Sequence, residues 1–234
     1  MHQRRLYMAR VRKNAGGGGG GFGLGVSAKG NGAGASATTN AVTTQASGST
    51  FVVDVVFDAG TTVSSITDSK SNTYTQQGTT QTNSSLGMKS ARYICVNGTG
   101  GASHTWTATC SGAGAVPSVF GTEIKGGLTS GIVDVHVQGN DETSPFGVAS
   151  GTLAQANEYV LSFFASFSSA PPTCSHAVTG DGFTLIQETT DFGTSWVGAV
   201  GGVKVSATTS VTPQWTETNT AAGTSVFVTS FKGP

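Results

Sequence analysis

From about residue 38 onward apolar residues recur at every second position, and no segment of ten or more residues carries a 3.6-residue period. In 49–58, Phe51, Val53, Val55 and Phe57 share one face. In 131–137, Val133, Val135 and Val137 oppose Ile132, Asp134 and His136. In 158–167, Tyr159, Leu161, Phe163, Ala165 and Phe167 oppose Val160, Ser162, Phe164 and Ser166. Alternation of this kind puts one face of a strand on a core and the other toward solvent. About a dozen such runs lie between 38–45 and 222–232, one of them over 147–153, and their number and spacing favour a sandwich or jelly roll. Turn signals punctuate them, among them Asp58-Ala-Gly60, Asn97-Gly98 and Gly180-Asp-Gly182. The fold class expected is all-β, a jelly-roll-like antiparallel β-sandwich. Composition agrees. Charged residues make up 10% of the chain, against a usual ~25%, and Ser and Thr fill polar positions that helices give to Lys and Glu.

Nothing marks a boundary inside the strand-rich region, so 38–234 is expected to be a single β-sandwich domain. The stretch 168–181, SSAPPTCSHAVTGD, reads as a surface loop. What precedes the body differs from it. Arg4, Arg5, Arg10, Arg12, Lys13 and Lys29 are six of the 12 Lys and Arg, and no Asp or Glu occurs before Asp54. The formal net charge of +0 therefore hides a basic arm on an acidic body. Residues 1–13 read as the arm. Residues 14–37, with their glycine run, read as a flexible Gly-rich linker, able to span roughly 80 Å when extended.

Partners follow from the arm. Its charges suit phosphate contacts, but Leu6, Tyr7, Met8 and Val11 lie among them, and a purely phosphate-binding tail has no use for apolar anchors. Docking on protein is therefore favoured over nucleic acid and over a solvated tail. The expected partner-binding residues are Arg4, Arg5, Leu6, Tyr7, Met8, Arg10, Val11, Arg12 and Lys13. The N-terminus has no apolar h-region of a secretory signal, and no stretch approaches the ~18 apolar residues of a membrane span.

Searches for chemistry return little. His2, His104, His136 and His176 show no ligand spacing, and the glycine run matches a dinucleotide fingerprint without the strand and helix that give the fingerprint meaning. No G-x-S-x-G elbow is present. No catalytic, cofactor-binding or metal residue is assigned, and no enzyme activity is expected. Cys95 and Cys110 flank a hairpin and either face each other or sit as buried free thiols, with Cys174 left over. Trp106 shares a face with Ala108 and Cys110 and is expected in the core. Trp215, in TPQWTET, is the tryptophan most expected at the surface, where it would stack on a sugar.

Residues 61–78, TTVSSITDSKSNTYTQQG, carry a pattern V-x-x-[IV]-T-D-S-x-x-N-T-Y-T that resembles β-sandwich structural proteins of tailed bacteriophages. GASHTWTATC at 101–110 and GTSVFVTSFKG at 223–233 are similar in style, and the likeness covers most of 45–234. Where that turn usually has Gly before Asn, this chain has Ser71. The resemblance implies a virion role, as capsid decoration, head fibre or tail component, and implies no catalytic residue. It leads to an expected non-enzymatic virion protein, made in the host cytoplasm. Residues 1–35 would hold it to other virion proteins, and it would be a homo-oligomer with a trimer among the options. A carbohydrate-binding tail fibre and an icosahedral coat protein with a genome-binding arm are the alternatives.

Overall fold

The computed structural model describes residues 21–83, 87–111, 115–141, 144–168, 175–189, 196–218 and 220–234. These residues are all-β. The strands are β1 (Gly23–Asn31), β2 (Ser36–Thr38), β3 (Ser47–Asp58), β4 (Val63–Asp68), β5 (Thr75–Asn83), β6 (Met88–Thr99), β7 (Trp106–Cys110) and β8 (Ser118–Lys125), followed by β9 (Val133–Asp141), β10 (Glu158–Ser168), β11 (His176–Thr179), β12 (Thr184–Thr189), β13 (Trp196–Val205), β14 (Gln214–Glu217) and β15 (Thr220–Lys232). They form antiparallel sheets in the orders β1-β8-β3-β6-β5, β2-β7-β4, β12-β13-β10-β15-β9 and β11-β14.

The second half of the chain repeats the strand order of the first. If β9 stands for β1, β10 for β3, β11 for β4, β12 for β5, β13 for β6, β14 for β7 and β15 for β8, the two five-stranded orders become the same order, read from opposite margins. The short β2 has its counterpart in an isolated bridge between Phe146 and Trp215. Sequence supports the equivalence. SVFGTEIKG at 118–126 and SVFVTSFKG at 225–233 agree at six of nine positions, and WTAT at 106–109 matches WTET at 215–218 at three of four.

Three apolar cores follow from this arrangement. Alternation sends Phe51, Val53 and Val55 of β3 to one face, where they meet Trp106 and Ala108 of β7. Val160, Phe164, Val226 and Val228 do the same for Trp215 in the second half. The opposite faces of the five-stranded sheets, with Val52, Val56, Phe120 and Ile124 on one and Leu161, Phe163, Phe227 and Phe231 on the other, pack against each other in a shared central core. The layers therefore run three-stranded, five-stranded, five-stranded, two-stranded. At one margin β1 lies against β12 and at the other β5 lies against β9, as an approximate twofold rotation along the strand direction requires. This is the isologous arrangement of a symmetric dimer, formed here within one chain.

One polar group crosses the central core. Arg92 and Asp54 are fully buried and joined through Nε–Oδ1 at 2.7 Å and Nη2–Oδ2 at 2.9 Å. Arg92 also donates to the Leu161 carbonyl at 3.1 Å and to Thr229 Oγ1 at 2.9 Å in the facing sheet. Burial pushes the Asp54 carboxyl up against the pull of the guanidinium. The pair costs desolvation, and the two bonds to Leu161 and Thr229 tie one sheet to the other. Thr229 in turn bonds His136 Nδ1 at 2.7 Å, and His136 reaches Gln138, which bonds Thr79 of β5.

Several sequence expectations need correction. Residues 14–37 are not all linker, because β1 lies within them and β2 begins there. Phe22 is buried in the central core. Three of its described glycines, Gly25, Gly30 and Gly32, serve close approach: a Cβ on Gly30 would lie 1.9 Å from the Thr38 carbonyl oxygen. The 147–153 run is not a strand, while the 168–181 loop holds β11. Asn97-Gly98 is not a turn between strands. It lies within β6, where Asn97 takes φ 55° and the register with β3 shifts.

Candidate functional site

In the first half the three-stranded sheet ends at β4 and the five-stranded sheet ends at β5. These margins do not pair, and a groove opens between them. It has two chambers of about 370 and 320 Å³, both lined by Val63 and Tyr93. Tyr93, from β6, is half-buried and forms the floor. Ser64 and Ile66 of β4 form one wall, and Gln76 and Thr80 of β5 the other. The lining is apolar below and hydroxyl- or amide-bearing above, with the Lys89 ammonium in one chamber.

Backbone geometry gives the β4 wall its chemistry. The Ser69 N–H donates to Thr105 O at the end of β7. N–H groups alternate sides along an antiparallel strand, so Ile66 directs its N–H and C=O away from β7 and into the groove. A strand margin of this kind is a row of unpaired backbone donors and acceptors.

One end of the groove is held rigid by the T-D-S-x-x-N-T-Y segment. Asp68 Oδ2 accepts from Asn72 Nδ2 at 2.6 Å, from the Tyr74 hydroxyl at 2.7 Å and, at 3.0 Å, lies on His104 Nε2. Its Oδ1 accepts the N–H groups of Lys70 and Asn72 at 2.9 and 3.0 Å. Trp106 Nε1 donates to the Tyr74 oxygen at 2.9 Å. Burial acts to raise the Asp68 carboxyl, but the bonds from Tyr74, Asn72 and His104 together hold it below the usual carboxylate range. Ser71, the position where the resembling turn has Gly, takes φ 61°, the left-handed region glycine favours.

His104 Nδ1 lies 2.9 Å from Thr44 Oγ1, so Asp68, His104 and Thr44 stand in the order of a nucleophile relay. The Asp68 and His104 side chains have no exposed surface, however, and Thr44 is 5% exposed. No path leads a substrate to the hydroxyl. The cluster serves to position Asn72 and Tyr74 at the end of the groove.

The equivalent place in the second half is closed. Register equates Val55, paired with Ala91, to Phe164, paired with Ala199. Tyr93 therefore corresponds to Gly201, where a Cβ would lie 2.8 Å from Val178 and 3.1 Å from Trp215. The margin of β11 is capped: the His176 N–H donates to Glu188 Oε2 of β12 at 2.8 Å, and His176 Nδ1 lies 3.2 Å from the same oxygen. The hydrogen bond from the His176 side chain, with that from its backbone, draws the Glu188 carboxyl below its ordinary value.

The other residues singled out from sequence are placed as follows. Arg4, Arg5, Leu6, Tyr7, Met8, Arg10, Val11, Arg12 and Lys13 lie outside the described residues, as does Cys174. Trp215 is not a surface platform. It is fully buried, stacked on Phe164 at 5.4 Å, with Nε1 donating to Ser162 Oγ at 2.9 Å. Its polar sequence neighbours misled because in a strand they point to the opposite face. Cys95 and Cys110 are buried free thiols, pushed by burial to about 11, which makes them poor nucleophiles. Among the described residues no three His, Cys, Asp or Glu side chains gather as a metal site. Sequence reading missed the groove. The available signal was Tyr93 itself, whose partner position one repeat later is glycine. No protein-family model, curated protein or solved structure gives a match to the chain.

Proposed function

We propose that the chain is a non-enzymatic structural protein of a tailed-phage virion, with two jelly-roll-like sandwiches anchored to the capsid or another virion part by the basic N-terminal arm. The strand order of the first half, β1-β8-β3-β6 facing β2-β7-β4 with β5 joined to the larger sheet, supports a jelly-roll-like reading, and the second half follows it with β11-β14 as the smaller sheet. The resemblance at 61–78 points to the virion.

The observation that carries the reading is where the arm joins the body. Phe22 is inserted in the core that both halves share, and its carbonyl accepts from Lys204 Nζ at 2.9 Å. The C-terminus lies beside it: Asn157 Nδ2 donates to Pro234 O, and a Cβ on Gly233 would meet Phe22 at 2.6 Å. A load on the arm therefore reaches the shared core through Phe22 before it passes into the marginal strand β1. Anchoring requires such a joint, whereas a merely solubilising tail does not.

Deletion of residues 1–13 tests it. The truncated chain is expected to fold with unchanged thermal stability and to lose its place on particles. Full occupancy by the truncated chain would overturn the reading. Arm binding that falls steeply with salt and cross-links to nucleic acid would assign the arm to the genome instead.

A further inference from the structure

We propose that Lys232 and Asp134 join in an amide bond, formed by the folded chain itself, with Glu158 as the general acid and base. The bond ties the last strand of the second half covalently to its first.

The three side chains converge from neighbouring strands. β15 lies between β9 and β10. Glu158 of β10 stands directly opposite Lys232 of β15, and residues so paired share a face. Asp134 of β9 brings its Oδ1 to 3.8 Å from Lys232 Nζ. Consecutive N–H groups draw the two carboxyls together: that of Ala154 donates to Asp134 Oδ2 at 2.7 Å, and that of Gln155 to Glu158 Oε1 at 3.3 Å. The Asp134 side chain is 10% exposed and that of Lys232 25%, so water competes weakly for the reacting atoms.

Glu158 supplies the acid. It has no exposed surface, and its Oε2 accepts no hydrogen bond. An ionised carboxylate buried in this way is costly. A protonated one is not, because its hydroxyl can donate to Asp134, which lies within hydrogen-bond reach. Burial, with the Asp134 charge, raises the Glu158 carboxyl above its ordinary value, against the bonds from Ser230 and Gln155. A carboxylic acid kept neutral by its surroundings is a hydrogen-bond donor and a proton source. Here it faces the carboxyl that the lysine amine attacks.

Atoms balance without a co-reactant. Lys232 Nζ attacks Asp134 Cγ, the C–Oδ bond breaks and one water leaves. The ammonium gives up two protons to that water. One crosses within the ion pair. Glu158 passes its own proton to the departing oxygen and takes the second from the amine, ending as the acid it began as. The charges of ammonium and carboxylate cancel. The 3.8 Å separation is near the roughly 3–3.5 Å of a near-attack geometry, and the flexible lysine stem can close the difference. Effective molarities of ~10⁵ M or more in well-oriented intramolecular reactions favour a bond that dilute amines and carboxylates do not form in water.

The first half offers an internal control. Register equates Asp134, Glu158 and Lys232 with Gly25, Ser49 and Lys125. The lysine is repeated and the two carboxyls are not. Glu123 stands there at the position of Ser230, and it accepts from the Ser49 hydroxyl at 2.6 Å and the Gln45 N–H at 2.7 Å. The site is thus peculiar to the second half, and it lies where the chain end meets Phe22. Gln155 Nε2 donates to Gly233 O at 2.9 Å beside it.

Intact-mass spectrometry of the purified full chain, incubated at neutral pH, tests this. The chain is expected to be lighter than its sequence by one water, and a proteolytic digest to contain a branched peptide joining Asp134 to Lys232. Lys232→Arg keeps the ion pair without the amine and is expected to fold and to retain its full mass. Glu158→Gln is expected to form the bond at least roughly a hundredfold more slowly, the scale of general acid–base catalysis. A wild-type chain at full sequence mass would overturn the inference and leave an ion pair only. Water lost equally from Lys232→Arg would overturn it too, by placing the loss elsewhere. Bond formation in Glu158→Gln at the wild-type rate would overturn the role given to Glu158.

Discussion

The two halves of this chain share a strand order and differ at one margin. In the first, Tyr93 and the gap between β4 and β5 leave a groove. In the second, Gly201 lets Val178 and Trp215 close the same place, and Glu188 caps the His176 N–H of β11. Their cores are built alike, each around a buried tryptophan, Trp106 or Trp215. Core packing is therefore what the two halves have kept in common, and the margin is where they have diverged. A difference confined to one backbone margin, inside an otherwise repeated architecture, marks that margin as the place where the two halves do different work.

Exchanging the residues that distinguish the halves tests this most severely. Gly201→Tyr forces a ring into space held by Val178 and Trp215. It should cost at least about 3 kcal/mol in chemical denaturation, because overpacking a filled core strains its neighbours. The reverse change, Tyr93→Gly, removes a half-exposed ring and should cost about 1–2 kcal/mol, mostly through the lower strand preference of glycine. Equal costs would mean that the second half is no more closed than the first.

Acid should act on the layer between the halves. Burial, with the Arg92 charge nearby, lowers His136 to about 4, against the pull of its bond to Gln138. The unfolded chain takes up this proton first, near pH 6.5, so stability falls as pH drops from about 6.5 toward 4. A loss on the order of 2–3 kcal/mol is expected across that window, and His136→Gln should flatten the profile. A wild-type profile already flat there would place the imidazole in solvent.

The smallest effect concerns the turn at the end of the groove. Ser71 holds φ 61°, and Ser71→Gly should stabilise by about 0.5–1 kcal/mol by relieving left-handed strain. Destabilisation would show that the serine side chain contributes more than the backbone costs.

Much of the fold was legible in the sequence. The alternation in β3, β9 and β10 assigns each side chain a face, and the cores contain the residues that alternation selects. β1 was obscured because glycines such as Gly25 and Gly30 give its sequence a linker's composition, although a Cβ at either would collide with Glu123 or Thr38. β11 and β14 are four residues each, too short for alternation to stand out. The duplication was written in SVFGTEIKG and SVFVTSFKG, but between these segments the halves share little, and equal strand order leaves no trace in composition. The groove was the least legible feature. It arises from a pairing that β4 and β5 do not make, and sequence periodicity reports what a strand buries rather than which margin it leaves open. Asp68 and Asn72 were visible as a turn, but the convergence of Asn72 and Tyr74 on the Asp68 carboxylate and their place at the end of the groove emerge only from packing.

The most direct measurement is residue-resolved amide hydrogen exchange on the dilute full chain, comparing Ile66 of β4 with its counterpart His176 of β11. Ile66 should exchange at least tenfold faster than His176, and Glu188→Ala should bring His176 up to the rate of Ile66. Equal protection of the two amides in the unaltered dilute chain would contradict an open margin in one half and a capped one in the other.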